Sequence, residues 1–302
     1  MLKIFNYFII NPINKLIKII KYNLLNLNKF YFKKNFKIIL PYDSDLDQYA
    51  KMPRFNKFMH FISKNLSKNS VVIDIGANIG DTTIEILLSN RTLAVKSIEG
   101  SLFYYKYLKK NLINFKKKFN NKLKIKSYLN YIGNNTKGSI VVDKRGSGSY
   151  SKVGNNEFLT LDNFIKSAGV LHSDENISLI KIDTDGYDYD VINSGFNIIK
   201  LYKPIIFFEA YCVDKNKLFN YDKTINNLNK LGYLEWAVFD NCGSLIFKNI
   251  STKLVKELLI YTYRQYIGKQ YGVPYFDIAA YTSKYKRLVK KTLIQYSKFS
   301  EK

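Results

Sequence analysis

Cysteine and arginine are both scarce in this chain of 302 residues. The only cysteines, Cys212 and Cys242, belong to no CxxC pair and to no histidine-containing cluster with zinc-ligand spacing. We therefore expect ordinary thiols, with no zinc site and no structural disulfide. Only five of the 48 basic residues are arginine. Because the planar arginine side chain is the preferred partner of phosphates and guanine bases, this shortage disfavours specific nucleic-acid recognition.

Long apolar runs are also missing. Lysine or asparagine interrupts every candidate stretch before the roughly 18 residues that a membrane-spanning helix needs. The amino-terminal sequence MLKIFNYFIINPINKLIKII has no small-residue cleavage site after a compact apolar core, which argues against a cleaved signal peptide. Hydrophobic residues make up 46% of the chain, enough for a sizeable core. These features predict a globular, cytoplasmic protein.

Basic residues outnumber acidic ones by 48 to 24, which gives a formal net charge of +24. Such a charge fits a polyanionic partner such as nucleic acid or an acidic membrane surface. A strongly AT-biased coding sequence explains the charge as well, because that bias enriches Lys, Asn, Ile, Tyr and Phe whatever the function. We favour the compositional explanation, although the lysines would still supply a nonspecific attraction to anions.

The first 45 residues form a segment of distinct composition, and residues 1–40 contain no acidic residue. Within NKLIKIIKYNLLNL, residues 14–27, leucine and isoleucine recur at near-helical spacing with lysines between them. This pattern is typical of an amphipathic helix on an anionic bilayer, so peripheral contact with the inner face of the membrane is one prediction. A helix packed on the protein core or on a partner chain would show the same pattern.

Strand and helix patterns alternate from residue 46 to residue 282. Apolar runs such as SVVIDIG, LAVKSIEG, ISLIKID and PIIFFEAY alternate with segments of helical periodicity. Repeated βαβ units of this kind predict an α/β fold with a mostly parallel, seven-stranded sheet flanked by helices. Between GSIVVDK and GSYSKVG we expect an inserted β-hairpin with a glycine-rich tip. Residues 283–302 form a basic C-terminal tail that we expect to be helical.

The most informative stretch is VVIDIGANIGDTT, residues 71–83, in which a predicted strand ends at a carboxylate and a glycine turn leads into a helix. Ligands of open α/β sheets bind beyond the carboxyl ends of the strands. We expect Asp74 to lie at such an end, Gly76 to let a ligand approach the backbone, and Gly80 to let the turn enter the helix without a collision. The stretch therefore predicts a binding site for a small molecule.

The residues between and after these glycines limit what the ligand is. A phosphate-binding loop would need Gly-Lys-Ser/Thr after the last glycine, whereas Asn78, Asp81 and Thr82 occupy the turn and the helix start. An acidic residue there would repel a pyrophosphate but suits a ligand with an amine and hydroxyl groups. Asp74 would attract an ammonium or sulfonium group. Asp81 and Thr82 would either contact the amino-acid end of the ligand or only cap the helix.

A second carboxylate, Glu99, ends the next predicted strand, 25 residues after Asp74. In nucleoside-binding sheets an acidic residue about 20 residues after the glycine motif binds the ribose hydroxyls. A glycine turn followed by an acidic strand end is therefore consistent with S-adenosylmethionine as the ligand.

The order of the motifs resembles a known family. DIGANIGDTT, SIEGS, LTLDNF, LIKIDTDGYDYDVINSG and PIIFFEAY follow the pattern of the FkbM family of S-adenosylmethionine-dependent methyltransferases, over about residues 70–282. The resemblance implies a class I, Rossmann-like methyltransferase fold. It also implies O-methylation, since family members generally act on hydroxyls of sugars, polyketides or other small molecules, and it leaves the acceptor and the oligomeric state open. The cofactor contacts that it implies are Asp74, Gly76, Asn78, Gly80 and Glu99.

One motif departs from the family pattern. The family commonly has KIDVEGAE where this chain has KIDTDGYD, so Asp185 and Asp188 replace glutamates and Tyr187 replaces a small residue. The shorter side chains retain the charge but move each carboxylate by about one methylene. Asp183, at the end of its predicted strand, is expected to face the methyl group, which makes it the first catalytic candidate.

Asp183, Asp185 and Glu209 lie at the ends of neighbouring predicted strands. As general bases they could share the removal of a proton from an acceptor hydroxyl. The same oxygen atoms could instead hold Mg²⁺, which would lower the pKa of the acceptor. We place base catalysis ahead of metal assistance. Asp188 and Asp190 are expected to be solvated residues of a helix.

The favoured function is O-methylation of a small-molecule or glycan acceptor, such as a precursor of a surface polysaccharide. An RNA ribose 2′-O-methyltransferase is an alternative, although nucleic acid is the less expected partner. The chain lacks the Asp/Asn-Pro-Pro-Tyr motif of amino-methylating enzymes and the Pro-Cys nucleophile of cytosine C5 enzymes. A further alternative is a non-catalytic assembly subunit that keeps the same fold.

Overall fold

The computed structural model describes residues 28–300, apart from residues 43, 45, 50, 55, 135–136, 143–147, 168–169, 173–174 and 271. The amphipathic pattern at residues 14–27 and the centre of the predicted glycine-rich tip, residues 143–147, lie outside the described residues. Within the described part, no helix combines the length and the apolar composition needed to cross a bilayer.

Thirteen strands and ten α-helices build the described part of the chain. The strands are β1 (Asn28–Lys33), β2 (Phe36–Pro41), β3 (Val71–Ile75), β4 (Ala94–Glu99), β5 (Ile125–Leu129), β6 (Tyr131–Ile132), β7 (Lys137–Val142), β8 (Gly148–Leu159), β9 (Ile177–Ile182), β10 (Ile205–Ala210), β11 (Glu235–Asp240), β12 (Leu245–Ile250) and β13 (Phe276–Tyr281). The helices are α1 (Leu46–Tyr49), α2 (Lys57–Asn65), α3 (Asp81–Ser89), α4 (Leu102–Phe119), α5 (Leu161–Lys166), α6 (Asp188–Ser194), α7 (Phe196–Tyr202), α8 (Lys215–Lys230), α9 (Thr252–Ile267) and α10 (Lys286–Ser300).

Eight of these strands form one sheet in the order β12-β11-β13-β10-β9-β3-β4-β5. The five strands β5, β4, β3, β9 and β10 run parallel to one another, whereas β13 runs antiparallel to both β10 and β11. The predicted α/β, Rossmann-like fold with a mostly parallel sheet is therefore confirmed. The sheet has one strand more than the seven expected, because β12 folds back on β11 as an edge hairpin.

The central strands are buried along their whole length. Every residue of β3, β4 and β9 is shielded from solvent, as expected for parallel strands covered by helices on both faces. One hydrophobic cluster lies between the sheet and α5 to α9, and a second lies between the sheet and α2, α3, α4 and α10. Four charged side chains are nevertheless buried within these strands: Asp74, Lys96, Glu99 and Lys181.

The β1–β2 hairpin packs on the second of these clusters, although its residues belong to the basic segment that we separated from the predicted domain. Phe36, Ile38 and Leu40 are buried on its inner face. The ring of Phe36 meets that of Phe115 in α4, with centroids 5.0 Å apart. This part of the N-terminal segment is therefore built into the folded core.

Asn111 of α4 fixes the hairpin in place. Its Oδ1 accepts a hydrogen bond from the Ile39 N–H at 2.9 Å, and its Nδ2 donates to the Ile39 carbonyl at 2.8 Å. The same Nδ2 donates to the Ile79 carbonyl at 2.9 Å. Because Ile79 belongs to the glycine turn after β3, one buried side chain connects the hairpin, α4 and that turn.

The basic C-terminal segment is helical, as predicted, and forms α10. Val289, Leu293 and Tyr296 are buried on one side of this helix, which packs against α2 and β12. Nδ2 of Asn65 donates to Oε1 of Gln295 at 2.8 Å. The segment that we expected as a tail thus covers one face of the sheet.

The insertion between β5 and α5 contains the small sheet β6-β8-β7. Its strands β7 and β8 pair antiparallel, which confirms the inserted β-hairpin.

Candidate active site

Four predicted site carboxylates meet at one edge of the sheet. Asp74 lies in β3, Glu99 ends β4, Asp183 follows β9 and Glu209 lies in β10. Because β4, β3, β9 and β10 are adjacent and parallel, their carboxyl ends lie side by side. The edge is the position at which open α/β sheets bind their ligands.

Backbone hydrogen bonds hold the turn after β3. The N–H groups of Gly76 and Ala77 donate to the Ile98 carbonyl, both at 3.0 Å, and the Asp183 N–H donates to the Ile75 carbonyl at 3.1 Å. Gly76 has a φ of +73°, and a Cβ at this position would lie only 1.9 Å from the Asp183 carbonyl oxygen. Glycine is required here because the end of β9 approaches the turn so closely. The close approach that the structure shows at Gly76 is thus made by the protein's own backbone.

The second glycine of the motif precedes α3. Gly80 has a φ of +88°, and a Cβ there would lie 2.8 Å from a methyl group of Leu108 in α4. The carboxylate of Asp81, the first residue of α3, accepts a hydrogen bond from Asn56 Nδ2 at 2.9 Å. It also lies 4.0 Å from the Lys33 ammonium of β1. The structure therefore places Asp81 against the N-terminal part of the chain.

Asp74 is fully buried. Its Oδ2 accepts a hydrogen bond from Thr83 Oγ1 at 2.6 Å, and that hydroxyl lies 2.8 Å from Ser97 Oγ. Its Oδ1 lies 3.4 Å from the Lys181 ammonium. Burial raises the pKa of Asp74, while Lys181 and Thr83 oppose the rise. The carboxylate that we expected to attract a ligand cation is thus already paired inside the protein, and Thr82 beside Thr83 is buried as well.

Lys181 forms ion pairs with two carboxylates, those of Asp74 and Asp183. Its ammonium lies 3.4 Å from Asp74 Oδ1 and 3.1 Å from Asp183 Oδ2, and it donates a hydrogen bond to the Gly76 carbonyl at 3.4 Å. Burial alone would lower the pKa of Lys181, but the Asp183 and Asp74 carboxylates raise it above its ordinary value. The three charges leave one net negative charge. That charge is accessible because the Asp183 side chain is 50% exposed.

Glu99 joins the glycine turn to the start of α4. Its Oε2 accepts a hydrogen bond from the Asn78 N–H at 2.8 Å, and its Oε1 accepts one from the Ser101 N–H at 2.7 Å. Burial raises the pKa of Glu99, and the two backbone hydrogen bonds oppose the rise. A carboxylate offers about four acceptor positions, so two hydrogen bonds leave capacity for a further donor.

The loop after β9 brings Asp185 and Asp188 to the same edge. Oδ2 of Asp188 accepts hydrogen bonds from the Thr184 N–H at 3.1 Å and the Thr184 hydroxyl at 2.8 Å, and its Oδ1 accepts one from the Glu209 N–H at 2.9 Å. Asp188 is fully buried, so the prediction that it is solvated is wrong. Burial, followed by the charge of Asp183, raises the pKa of Asp188 to about 6. Asp188 fastens the loop to β10.

Glu209 stands opposite Asp277 in the antiparallel register of β10 and β13. Burial raises the pKa of both carboxyl groups well above their ordinary values, and the charges of Asp183 and Asp188 raise them further. Asp185 contributes in the same direction to Glu209, and Lys181 lowers the pKa of Asp277. The edge therefore holds two carboxyl groups with a high affinity for protons.

The structure gives no support to the Mg²⁺ site considered from the sequence, with Asp183, Asp185 and Glu209 as ligands. Among the described residues, no group of three or more His, Cys, Asp or Glu side chains could hold a metal ion. Asp183 faces Lys181, and Asp188 accepts hydrogen bonds from the backbone on both of its oxygens. The residues present at this edge do not fit the ion.

Lys181, Thr83 and Asp277 were not identified from the sequence. Lys181 interrupts the apolar run ISLIKID, and a charged residue in a buried strand needs a partner. Side chains two residues apart on a strand lie on the same face, so Lys181 and Asp183 were recognisable as a pair. Asp277 interrupts the run YFDIAAY in the same way. Thr83 carried no such signal, because threonine is ordinary at a helix start.

Substitution of Gly76 tests the close approach of β9. Gly76→Ala should lower the free energy of unfolding by about 3 kcal/mol more than Gly232→Ala does, because its Cβ meets a backbone carbonyl. Gly232 is a matched control, since it has a φ of +91° and a Cβ added there would meet no atom within 4 Å. Urea unfolding followed by circular dichroism measures both. Equal losses in the two variants would contradict the steric role of Gly76.

Replacement of Lys181 tests the buried ion pair. Lys181→Met should lower the free energy of unfolding at pH 8 by about 3 to 5 kcal/mol, because Asp74 is left without its cation. In this variant the folded state binds more protons than the unfolded chain above about pH 4, so stability falls as pH rises. The deficit relative to the wild-type protein should therefore shrink between pH 8 and pH 5, as measured by urea unfolding at each pH.

Two further variants complete this test. Asp74→Asn in the Lys181→Met background should recover part of the lost stability, because the uncompensated charge is removed. Lys96→Met is the matched control for losing a buried lysine, since Lys96 lies 3.2 Å from Glu175, away from the glycine turn. It should lose stability, and Asp74→Asn should recover none of that loss. Lys181→Met with wild-type stability at pH 8 would refute the role of the ion pair.

Comparison with known proteins gives a family match for this chain. The family model described as the methyltransferase FkbM domain matches residues 74–235, more than half of the chain. No curated protein sequence matches. Similar solved structures include methyltransferase FkbM from Methylobacillus flagellatus KT, at 16% identity and a TM-score of 0.36, with 48% of this chain and 34% of that chain covered. This chain therefore spans about a third of the length of that relative.

Two other solved structures cover more of the chain. Precorrin-6y C5,15-methyltransferase from Geobacter metallireducens shares 13% identity over 76% of this chain and 89% of that one, with a TM-score of 0.39. M. jannaschii TYW2, solved in complex with AdoMet, shares 14% identity over 84% of each chain, with a TM-score of 0.38. Because the family model spans more than half of the sequence and includes the glycine turn, both acidic strand ends and Glu209, the protein belongs to the FkbM family of S-adenosylmethionine-dependent methyltransferases.

Proposed function

We propose that the protein methylates a hydroxyl oxygen of a sugar, a glycan precursor or another small molecule. The observation that carries this proposal is the pair of facing carboxyl groups, Glu209 and Asp277, with their raised pKa values. A hydroxyl acceptor must lose its proton as the new bond forms, and a carboxylate within hydrogen-bond reach takes it up. A carboxyl group whose pKa is raised toward neutrality is suited to this task.

The residues around the glycine turn fit S-adenosylmethionine. Glu99 keeps acceptor capacity for the ribose hydroxyls beside its two backbone hydrogen bonds. The net negative charge shared by Asp74, Lys181 and Asp183 suits the cationic half of the molecule. When bound, S-adenosylmethionine supplies an electrophilic methyl group on a sulfonium centre. Further predicted contacts are Gly76, Asn78, Gly80, Asp81 and Thr82.

Glu209 is a better general base than Asp183. The Asp183 carboxylate is already engaged in an ion pair, because its Oδ2 lies 3.1 Å from the Lys181 ammonium. Glu209 has no such cation within ion-pair distance among the described residues, and its neighbours Asp183, Asp188 and Asp277 favour its protonated form. We therefore assign proton removal to Glu209. Asp183 and Asp185 are assigned to orienting the acceptor hydroxyl.

The acceptor class is tested with S-adenosylmethionine carrying a ¹³C-labelled methyl group. The purified protein is incubated with pools of nucleotide sugars, polysaccharide precursors and transfer RNA, and the products are analysed by NMR and mass spectrometry. We expect a methyl carbon bonded to oxygen in a sugar-containing fraction. A product methylated on carbon or nitrogen would refute O-methylation, and a ribose 2′-O-methyl group in RNA would support the alternative enzyme. Cofactor binding without any product would support a non-catalytic subunit.

The role of Glu209 predicts a pH dependence. Because a general base acts in its deprotonated form and the pKa of Glu209 is raised, kcat/KM should rise with pH with a midpoint above the usual glutamate value of about 4.3. Glu209→Gln should lower kcat by about 100-fold or more and remove this rise. Affinity for S-adenosylmethionine, measured by calorimetry, should stay unchanged in that variant.

Asp277→Asn provides the companion measurement. Removing this neighbouring negative charge should lower the pKa of Glu209 and move the rise in kcat/KM toward lower pH. A Glu209→Gln variant that keeps the wild-type pH profile would exclude Glu209 as the base. An Asp277→Asn variant whose midpoint moves to higher pH would contradict the charge coupling between the two strands.

A further inference from the structure

We propose that the outer face of the β1–β2 hairpin and the exposed face of α4 together dock on an anionic lipid bilayer. This docking surface is defined by exposed apolar residues and exposed lysines of two adjacent elements. The apolar residues are Phe30, Phe32, Leu102, Phe103 and Ile113. The lysines are Lys34, Lys37, Lys106, Lys109, Lys110, Lys117 and Lys118.

The hairpin carries apolar side chains on both of its faces. In its register Phe30 stands opposite Ile39 and Phe32 opposite Lys37, on the face that points away from the core. Phe30 is 52% exposed and Phe32 is 63% exposed, and their rings contact each other edge to face with centroids 5.9 Å apart. A strand that packs one face on a core normally presents polar residues on the other. Two neighbouring exposed phenylalanines therefore indicate a contact with an apolar partner.

The exposed face of α4 extends this surface. Leu102, Phe103 and Ile113 are each 40% or more exposed. The two elements are in direct contact, since Phe36 of β2 packs on Phe115 of α4 and the Lys118 ammonium donates to the Asn35 carbonyl. Hairpin and helix are thus adjacent elements, and each carries exposed apolar side chains.

The charge of the surface has a single sign. Neither residues 28–41 nor residues 102–119 contain an acidic residue, and seven of their lysines are exposed. Each lysine near an anionic leaflet adds to the electrostatic attraction, which salt screens. Apolar side chains that enter the boundary between headgroups and acyl chains strengthen the binding further. The Lys37 ammonium lies 3.9 Å from the centre of the Phe30 ring, so charge and aromatic surface occur side by side.

An anionic bilayer fits this surface better than other partners do. A nucleic acid would be recognised by arginine forks and hydrogen-bonding side chains, whereas residues 28–41 and 102–119 contain no arginine. A second copy of the chain would bring two lysine-rich faces of like charge into contact. A lipid surface accepts both the lysines and the apolar side chains at the depth each prefers.

The docking surface adjoins the edge of the sheet that carries the candidate active site. Leu102 begins α4 directly after Ser101, whose N–H binds Glu99, and Asn111 of the same helix binds the glycine turn at Ile79. Docking would therefore hold this edge of the sheet near the bilayer. The inference concerns binding alone and stands whether or not the acceptor is a sugar.

Sedimentation with vesicles tests the proposal on the full chain. The protein should sediment with phosphatidylcholine vesicles that contain phosphatidylglycerol, not with phosphatidylcholine alone, and rising salt should weaken the binding. Replacing both Phe30 and Phe32 by Ser should weaken binding at least about tenfold. Phe219→Ser is the matched control, because Phe219 is 68% exposed on α8, outside the surface, and it should bind as the wild-type protein does.

A depth measurement separates this surface from the preceding residues 1–27. The chain has a single tryptophan, Trp236, which is fully buried. Phe32→Trp should gain fluorescence that brominated lipids quench, whereas Phe219→Trp should not be quenched. The proposal would be overturned if the full chain did not sediment with the vesicles, or if the double serine variant bound them as the wild-type protein does. Equal quenching of the tryptophans at positions 32 and 219 would also overturn it. So would a change in the fluorescence of Phe32→Trp that dimerisation or added RNA causes and vesicles do not.

Discussion

The ammonium of Lys181, buried between Asp74 and Asp183, is the interaction on which the arrangement of this site depends. An unpaired carboxylate at the position of Asp74 would carry a desolvation penalty of several kcal/mol. Lys181 offsets that penalty and also binds the Gly76 carbonyl. One side chain thereby joins the end of β3, the end of β9 and the glycine turn. The shape of the glycine turn follows from this contact as much as from the glycines.

The same ammonium distinguishes carboxyl groups that look alike in the sequence. Asp183 lies beside Lys181, whereas Glu209 lies among Asp183, Asp188 and Asp277, which raise its pKa. An acid paired with a cation suits binding and orientation, whereas an acid with a raised pKa suits transfer of a proton. These two environments lie at the ends of the adjacent strands β9 and β10.

Local patterns predicted the elements but not their contacts. β3, β4, β9 and β10 were predictable because strands buried on both faces are continuous apolar runs, and the glycine turn was predictable from its spacing. The partners of Lys181 were not, because 105 residues separate it from Gly76 and only the order of strands in the sheet brings them together. Asp188 was misjudged for a related reason: its position at a helix start suggested solvent, whereas β10 passes directly beneath it and supplies the Glu209 N–H.

The N-terminal hairpin is attached to α3, the helix that follows the glycine turn, by charges as well as by packing. Lys33 of β1 lies 3.4 Å from Glu85 in α3, and Glu85 also accepts a hydrogen bond from His60 at 2.9 Å. Burial would raise the pKa of Glu85, but His60 and Lys33 together hold it at about 2. A lowered pKa means that this carboxylate stabilises the fold at every pH above about 4.5 and loses that effect only as the pH falls toward 2. The attachment of the hairpin to α3 therefore persists at the pH near 6 at which Asp188 takes up its proton, so protonation of Asp188 does not release the hairpin.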